Sequence, residues 1–337
     1  MSDIATPLAL TMGDPAGCGP QITIAAWRAR RSFAVAPFYV IGDPRLYQCD
    51  TPIKTIESPS DAVSAFDEAL PVIPLEIEGF AAMKTGIPFA PSAPAIIESI
   101  RLATQHCLSG AAIGMVTNPI SKAVLYEAGF THPGHTEFIA DLCTSVTNSQ
   151  AQPVMMLVGG GLRVALATIH VPLMRVLEQL TPRSLSDVAT ITYQALARDF
   201  AIANPKIAFT GLNPHAGEDG NIGDEEVDLI NPVASVLRAE GVDIADARPA
   251  DTVFHEALQG DFDAVIAMTH DQGLIPVKTL DLWGGVNTTL GLPIIRTSPD
   301  HGTAYDAAAD GSARPDSLIA ALKLAAELAN NRNAANG

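Results

Sequence analysis

Short, almost unbroken apolar runs alternate along this chain with longer segments whose apolar residues recur every three or four positions. PLALTM (Pro7 to Met12) and FYVIGD (Phe38 to Asp43) predict buried strands, because a strand covered on both faces needs no polar alternation. GDPAGCGP breaks the first strand, and QITIAAWRAR then begins a helix. Ser92 to Leu108 sets Ile96, Ile97, Ile100 and Leu102 on an apolar helical face and leads into the strand AAIGMVT. That strand ends at Asn118-Pro119, a helix-start signal for a segment carrying Lys122 and Val124 to Tyr126. PVMMLV, GGG and LRVALATIH predict a hairpin, so the sheet is not purely doubly wound. A long helix over Ser184 to Phe200 follows, then strands in KIAFTGLNPH, DAVIAMTH and LGLPIIRTS. LIAALKLAAELAN predicts a final amphipathic helix, with the polar tail NNRNAANG fraying. Alternating strands and helices define an α/β protein.

A length of 337 residues allows two domains of ordinary size. Twenty Lys and Arg against 37 Asp and Glu give a net charge of −17. A phosphate backbone or anionic bilayer repels that field, so nucleic-acid and membrane partners are not expected. A local cluster of cations can still hold a small anion. Cys18, Cys49, Cys107 and Cys143 show no C-x-x-C spacing and read as free thiols of a reducing cytoplasm. MSDIATPLALTMGDP lacks a basic start and a sustained apolar core, so no signal peptide is expected. No run of about 18 apolar residues predicts a membrane span.

Three predicted strands finish in histidine. VALATIH ends in His170, IAFTGLNPH in His215 and VIAMTH in His270. In open α/β sheets the carboxyl edge of the strands is where ligands bind. A lone histidine there is ordinarily a loop residue, but three at equivalent positions have the composition of an open, catalytic divalent-metal site. His106, His132 and His255 lack this setting and read as structural or surface residues. In HPGHTEF, His135 and Thr136 stand at a helix start that could face an anion, with capping by Thr136 as the bland alternative. Lys278, Asn287 and Arg296 supply donors suited to a carboxylate or phosphate, with solvation as the alternative for Lys278.

LALTMGDPAGCGP, GHTEF, VALATIH, GLNPHAGEDG, ADTVFHEA, AMTHDQGLIPVK and GVNTTLGLPIIRTSPDHGTA, in that order from about Leu8 to Tyr305, resemble the 4-hydroxythreonine-4-phosphate dehydrogenases. The resemblance implies two α/β/α domains of isocitrate/isopropylmalate-dehydrogenase type with a cleft between them. The expected boundaries are 1–130 plus about 290–337 for the first domain, with a cofactor loop near 300–314, and about 131–289 for the second. It implies a homodimer with the active site at the interface, and one divalent metal per subunit (Zn²⁺, with Mg²⁺ or Co²⁺ as alternatives) on His170, His215 and His270 drawn from both subunits. It implies substrate contacts at His135, Thr136, Lys278, Asn287 and Arg296. Asp251 and Asp271 match acids near the metal, and with Lys278 they are the candidate catalytic bases.

The implied reaction oxidises the 3-hydroxyl of 4-phosphooxy-L-threonine with NAD or NADP, and decarboxylation then gives 3-amino-2-oxopropyl phosphate. GDPAGCGP lacks the G-x-G-x-x-G spacing of a Rossmann site. DHGTAYDAAADG instead resembles the cofactor loop of the isopropylmalate dehydrogenases and nominates His301, Gly302 and Asp306, although AAADG stands where those relatives tend to read IAGKG. In LWGGVN, Gly284 stands where many relatives carry an arginine or an acid. Competing substrates are threonate or erythronate 4-phosphate and aromatic cis-diol carboxylates. A metal-dependent hydrolase is the alternative from another class.

Overall fold

The computed structural model describes residues 6–48 and 51–336. Cys49 and the first five residues lie outside them; Cys18, Cys107 and Cys143 are free thiols. Twelve strands occur among the described residues: β1 (Leu8–Thr11), β2 (Phe38–Gly42), β3 (Ile53–Thr55), β4 (Leu70–Pro74), β5 (Met115–Thr117), β6 (Val154–Gly159), β7 (Leu162–Leu166), β8 (Ile207–Thr210), β9 (Ile244–Arg248), β10 (Ala264–Ala267), β11 (Val286–Leu290) and β12 (Arg296–Pro299). The chain forms two units, Met1–Pro153 with Leu292–Asn330, and Val154–Gly291 with Asn331–Gly337.

In the first unit the strand order is β3-β4-β2-β1-β5-β12, and every pair is parallel. Leu8, Ala9, Leu10 and Thr11 are all fully buried, as expected of a central strand covered on both faces. The helix Ala93–Leu108 packs on β1, β2 and β5, and the helix His135–Thr147 packs on it in turn. That contact keeps residues 131–153 with the first unit, so the chain crosses at Pro153/Val154 and not near residue 130. Asn118-Pro119 does not start a helix. Asn118 is buried, and its Nδ2 donates to the Thr11 carbonyl at 3.1 Å and to Thr23 Oγ1 at 2.9 Å. The helix begins instead at Lys122, capped by Ser121. Arg296 opens β12, so the strand predicted in LGLPIIRTS begins only at its arginine.

In the second unit the order is β11-β6-β7-β10-β8-β9. β6 and β7 form the expected antiparallel hairpin, turned by Gly160 (φ 59°) and Gly161 (φ 86°). Two successive positive φ values are what a two-residue hairpin loop of the favoured hand requires, and glycine adopts them without strain. β7, β10, β8 and β9 then run parallel. Leu157, Val164, Leu166, Val265, Ala267 and Val277 form the centre of this unit's core. The C-terminal helix Asp316–Asn336 continues through the polar residues where the sequence predicted fraying.

Candidate active site

β7, β10 and β8 are neighbours in one parallel array, so their carboxyl ends lie on one edge. His170 lies four residues past β7, His270 three past β10 and His215 five past β8. Side chains lace the three loops together. Thr168 Oγ1 donates to the Met268 carbonyl at 2.7 Å, and Met268 N donates to Thr210 Oγ1 at 3.0 Å. Gln272 Nε2 donates to the Gly211 carbonyl at 3.0 Å. Gln272 also completes a capping box with Thr269, which fixes where the helix His270–Leu280 begins. Thr168 and Thr210 carry no signal of this role in the sequence; for Gln272 the signal is T-x-x-Q before an apolar run.

The His170 and His270 ring centroids are 5.6 Å apart. His270 Nδ1 lies 2.8 Å from Asp271 Oδ1. With Asp271 ionised, the proton sits on Nδ1 and Nε2 is left as the lone-pair nitrogen. Asp271 is thereby an orienting group for the imidazole. His215 and Asp251 line a cavity of about 350 Å³ together with Asn213 and Gln272. Among the described residues, no three His, Cys, Asp or Glu side chains form a group able to hold a metal ion. The donor chemistry nevertheless suits a divalent ion: paired imidazoles, one already oriented by a carboxylate.

The loop bearing His215 is unusual. His215, Ala216, Gly217, Glu218 and Asp219 all have left-handed backbone, with φ between 45° and 77°. For each of the four that are not glycine this costs about 1–2 kcal/mol, and such strain persists only where the surroundings enforce it. The buried Glu226 anchors the chain just before this run. Its Oε1 accepts from Leu212 N at 2.7 Å and Asn213 N at 2.8 Å, and its Oε2 accepts from Asn213 Nδ2 at 3.0 Å. A Cβ on Gly217 would lie 2.6 Å from Glu226 Oε2, so only glycine fits against the carboxylate. Glu226 opens a π-helical turn, Glu226–Ile230, a geometry frequent at functional sites. Nothing in its sequence context marked it.

Lys278 is half-buried in the last turn of the helix His270–Leu280, and Asn287 sits on β11 opposite Leu157. Asn287 Oδ1 is enclosed and has no hydrogen-bond partner in the chain. Gly284 N donates to Asp281 Oδ1 at 2.7 Å, and a Cβ at Gly284 would collide with that carboxylate. The larger side chains expected there in relatives are therefore replaced by a capped turn.

His135, Thr136 and Arg296 belong to the first unit. Gly134, and not Thr136, is the N-cap of the helix His135–Thr147, and it makes no side-chain cap bond. His135 Nε2 is enclosed and unpartnered. Burial holds the ring well below the ordinary imidazole range, and the charges of Arg296 and Lys122 push the same way. His135 is thus neutral at physiological pH, with one donor nitrogen and one acceptor. Arg296 is 4 % exposed and donates to Thr117 Oγ1 at 2.7 Å. Burial draws its guanidinium down to about 10, with Glu137 opposing, so it remains charged. A buried guanidinium beside a helix start and an unpartnered ring nitrogen is suited to an anion.

His301, Gly302 and Asp306 are exposed, in and just after the segment that follows β12. His301 Nδ1 donates to the Gly302 carbonyl at 2.9 Å. A Cβ at Gly302 would touch nothing within 4 Å, so a ligand could reach that backbone closely. Two histidines set aside in the sequence are structural: His106 Nδ1 lies 2.9 Å from the buried Tyr39 hydroxyl, and His132 Nε2 lies 2.9 Å from Asp141 Oδ2. No helix among the described residues is long and apolar enough to cross a membrane.

The chain is similar to known proteins in sequence and in fold. Residues 34–325 match the family described as pyridoxal phosphate biosynthetic protein PdxA. The chain is 48 % identical over 335 residues to the 4-hydroxythreonine-4-phosphate dehydrogenase of Maricaulis maris, covering 97 % of this chain and 98 % of that protein. Among solved structures, the 4-hydroxythreonine-4-phosphate dehydrogenase of Klebsiella pneumoniae superposes with a TM-score of 0.84 at 35 % identity, over 96 % of this chain and 100 % of that one. A terephthalate 1,2-cis-dihydrodiol dehydrogenase from Burkholderia xenovorans superposes less well, with a TM-score of 0.64 at 27 % identity, over 96 % and 98 % of the two chains.

Proposed function

The chain belongs to the PdxA family of 4-hydroxythreonine-4-phosphate dehydrogenases, NAD-dependent oxidoreductases of pyridoxal phosphate biosynthesis, and from that premise we propose how its own residues carry the reaction. The substrate is 4-phosphooxy-L-threonine, oxidised at its 3-hydroxyl and then decarboxylated to 3-amino-2-oxopropyl phosphate. The observation that carries the substrate class is the buried Arg296, whose charge acts on the His135 ring with its unpartnered Nε2. A fixed, buried guanidinium binds an anionic group in one orientation. Thr136, Lys278 and Asn287 complete the substrate contacts, and Asn287 contributes an enclosed amide oxygen suited to an amino or hydroxyl group.

His170, His215 and His270, drawn from two copies of the chain, would hold a divalent ion, with Zn²⁺, Mg²⁺ and Co²⁺ all compatible with neutral imidazoles. When bound, the ion supplies Lewis acidity to the substrate's hydroxyl and later to its carbonyl oxygen. Asp271 keeps the proton of His270 on Nδ1. Asp251, on the same cavity wall as His215, and Lys278 are the remaining acceptors for the hydroxyl proton. His301, Gly302 and Asp306 hold NAD or NADP. The free thiols Cys18, Cys107 and Cys143 suit a cytoplasmic enzyme.

The homodimer is supported by exposed apolar side chains flanking the histidines. Leu173 is 77 % and Met174 96 % exposed just after His170, and Ile275 is 63 % exposed just after His270. Exposed apolar groups so close to candidate ligands are suited to cover by a second copy. Met174→Asp with Ile275→Asp is expected to yield monomers by sedimentation and to lose activity with them. An unaltered dimer would place the interface elsewhere.

The reaction is tested with substrate labelled at the carboxyl carbon. Labelled CO₂ should appear one-for-one with reduced nicotinamide. Reduction without CO₂ would remove the decarboxylation, and faster turnover of threonate or erythronate 4-phosphate would reassign the substrate.

A further inference from the structure

The GDPAGCGP segment, which breaks β1 and lacks Rossmann spacing, forms the bed of the segment 300–311. Asp14 is fully buried. Its Oδ1 accepts from Ala16 N at 3.0 Å, and its Oδ2 accepts the Tyr305 hydroxyl at 2.6 Å. Beside this contact, Cys18 N donates to the Thr303 carbonyl at 2.8 Å, and Gln21 Nε2 donates to the Ala308 carbonyl at 2.6 Å. A Cβ on Gly17 would lie 2.7 Å from the Thr303 oxygen, so the two backbones approach this closely only with glycine there. Gly86 N donates to the Ala16 carbonyl at 2.7 Å, and a Cβ on Gly86 would lie 2.6 Å from Ala309 Cβ. The bed is therefore shaped to the segment along much of its length.

What it holds is strained. Ala304 has left-handed backbone at φ 45°, a conformation that persists for alanine only when neighbours fix it. Tyr305 follows directly, and its hydroxyl is tied to the fully buried carboxylate of Asp14. Burial pushes the Tyr305 hydroxyl up to about 12, so it remains a donor across the physiological range. Burial also raises the Asp14 carboxyl, and the Tyr305 hydrogen bond opposes that rise.

We propose that Asp14 and Tyr305 are a positioning pair for the nicotinamide dinucleotide: the buried carboxylate holds the tyrosine hydroxyl and so fixes the turn 301–304 in the form that meets the cofactor. The inference rests on the assignment of His301, Gly302 and Asp306 to that cofactor. A turn ordered in advance spares the ordering entropy that binding would otherwise incur. Neither side chain is assigned a contact with the reacting atoms. Their loss should therefore weaken cofactor binding and leave the chemical step at saturating cofactor largely unchanged.

Tyr305→Phe removes a single hydroxyl from a half-buried side chain, and it carries the test even if Asp14→Asn folds poorly. Titration of NADH and NADPH by nicotinamide fluorescence should show Kd raised about tenfold in Tyr305→Phe, with no further loss in Tyr305→Phe/Asp14→Asn, because the two act through one contact. At saturating cofactor, kcat and the substrate KM should stay within about twofold of the parent. His301→Ala/Asp306→Ala, measured alongside, separates the two assignments. If it weakens NADH binding while Tyr305→Phe does not, the positioning pair is overturned and the cofactor loop stands. If neither variant weakens NADH binding, both are overturned. A lower Tm with unchanged Kd would reduce the pair to a structural contact and overturn the proposal.

Discussion

Arg296→Met is expected to lower kcat/KM for 4-phosphooxy-L-threonine by at least about thirtyfold while leaving the protein folded. Removing a buried, hydrogen-bonded charge from its contact with an anion costs about 2–5 kcal/mol, and each 1.36 kcal/mol is about tenfold in rate or binding. The fold should tolerate the change at a cost of about 1–3 kcal/mol, because methionine fills similar volume but leaves the buried Thr117 hydroxyl without this bond. Arg296 is 4 % exposed and held against Thr117, so methionine also relieves the desolvation of the guanidinium. Steady-state kinetics with a Tm measurement reads both effects. Unchanged kcat/KM in a folded variant would remove Arg296 from the substrate site. Arg296→Lys should recover only part of the loss, since the charge returns without the planar fork.

His270→Ala should reduce turnover to background and strip the protein of retained divalent metal, and His215→Ala should do the same. Both imidazoles stand at the carboxyl ends of adjacent parallel strands, and His270 is pre-oriented by Asp271. His106→Ala is the informative control. It should keep activity and metal but lose about 1–3 kcal/mol of stability, because it leaves the buried Tyr39 hydroxyl without its partner. Metal analysis after gel filtration, together with denaturant unfolding, separates the two classes of variant. Full activity in metal-depleted His270→Ala would remove the ion from the mechanism.

The parts of the fold legible in the sequence are those where apolar runs are long or turn chemistry is explicit. Fully buried β1 and β2 and the hairpin turned by Gly160-Gly161 belong to this kind. β3 has only three residues, and β9 reads IADAR with charges at alternate positions, so neither looks buried in isolation. β11 reads VNTTL, yet Thr288 and Thr289 are buried. Its pairing with β6 overrides a composition that reads as loop. Arg296 shows the same limit: the apolar run LGLPII reads as strand by pattern, whereas pairing with Met115 starts the strand only at Arg296.

The candidate site was legible where chemistry is carried by residue type. Histidines at strand ends and an arginine in an apolar run announce themselves. Their supports do not, because their partners lie far away in sequence. Glu226 reaches back to the amides of Leu212 and Asn213, and Asp14 meets Tyr305 across 291 residues. Thr168 and Thr210 look like ordinary β-branched strand residues until the neighbouring strand end is placed beside them. The expected placement of His135 with the second domain failed for a related reason. Its helix packs on the helix Ala93–Leu108, a contact that no local pattern specifies.

The most direct test of a metal-dependent dehydrogenase is NAD⁺ reduction by purified protein given 4-phosphooxy-L-threonine, followed by absorbance with and without a chelator. The predicted result is reduction that stops when the chelator is added and returns with Zn²⁺, Mg²⁺ or Co²⁺. Reduction indifferent to the chelator in protein shown to be metal-free would contradict the metal site. No reduction by folded protein supplied with each ion in turn would contradict the account as a whole.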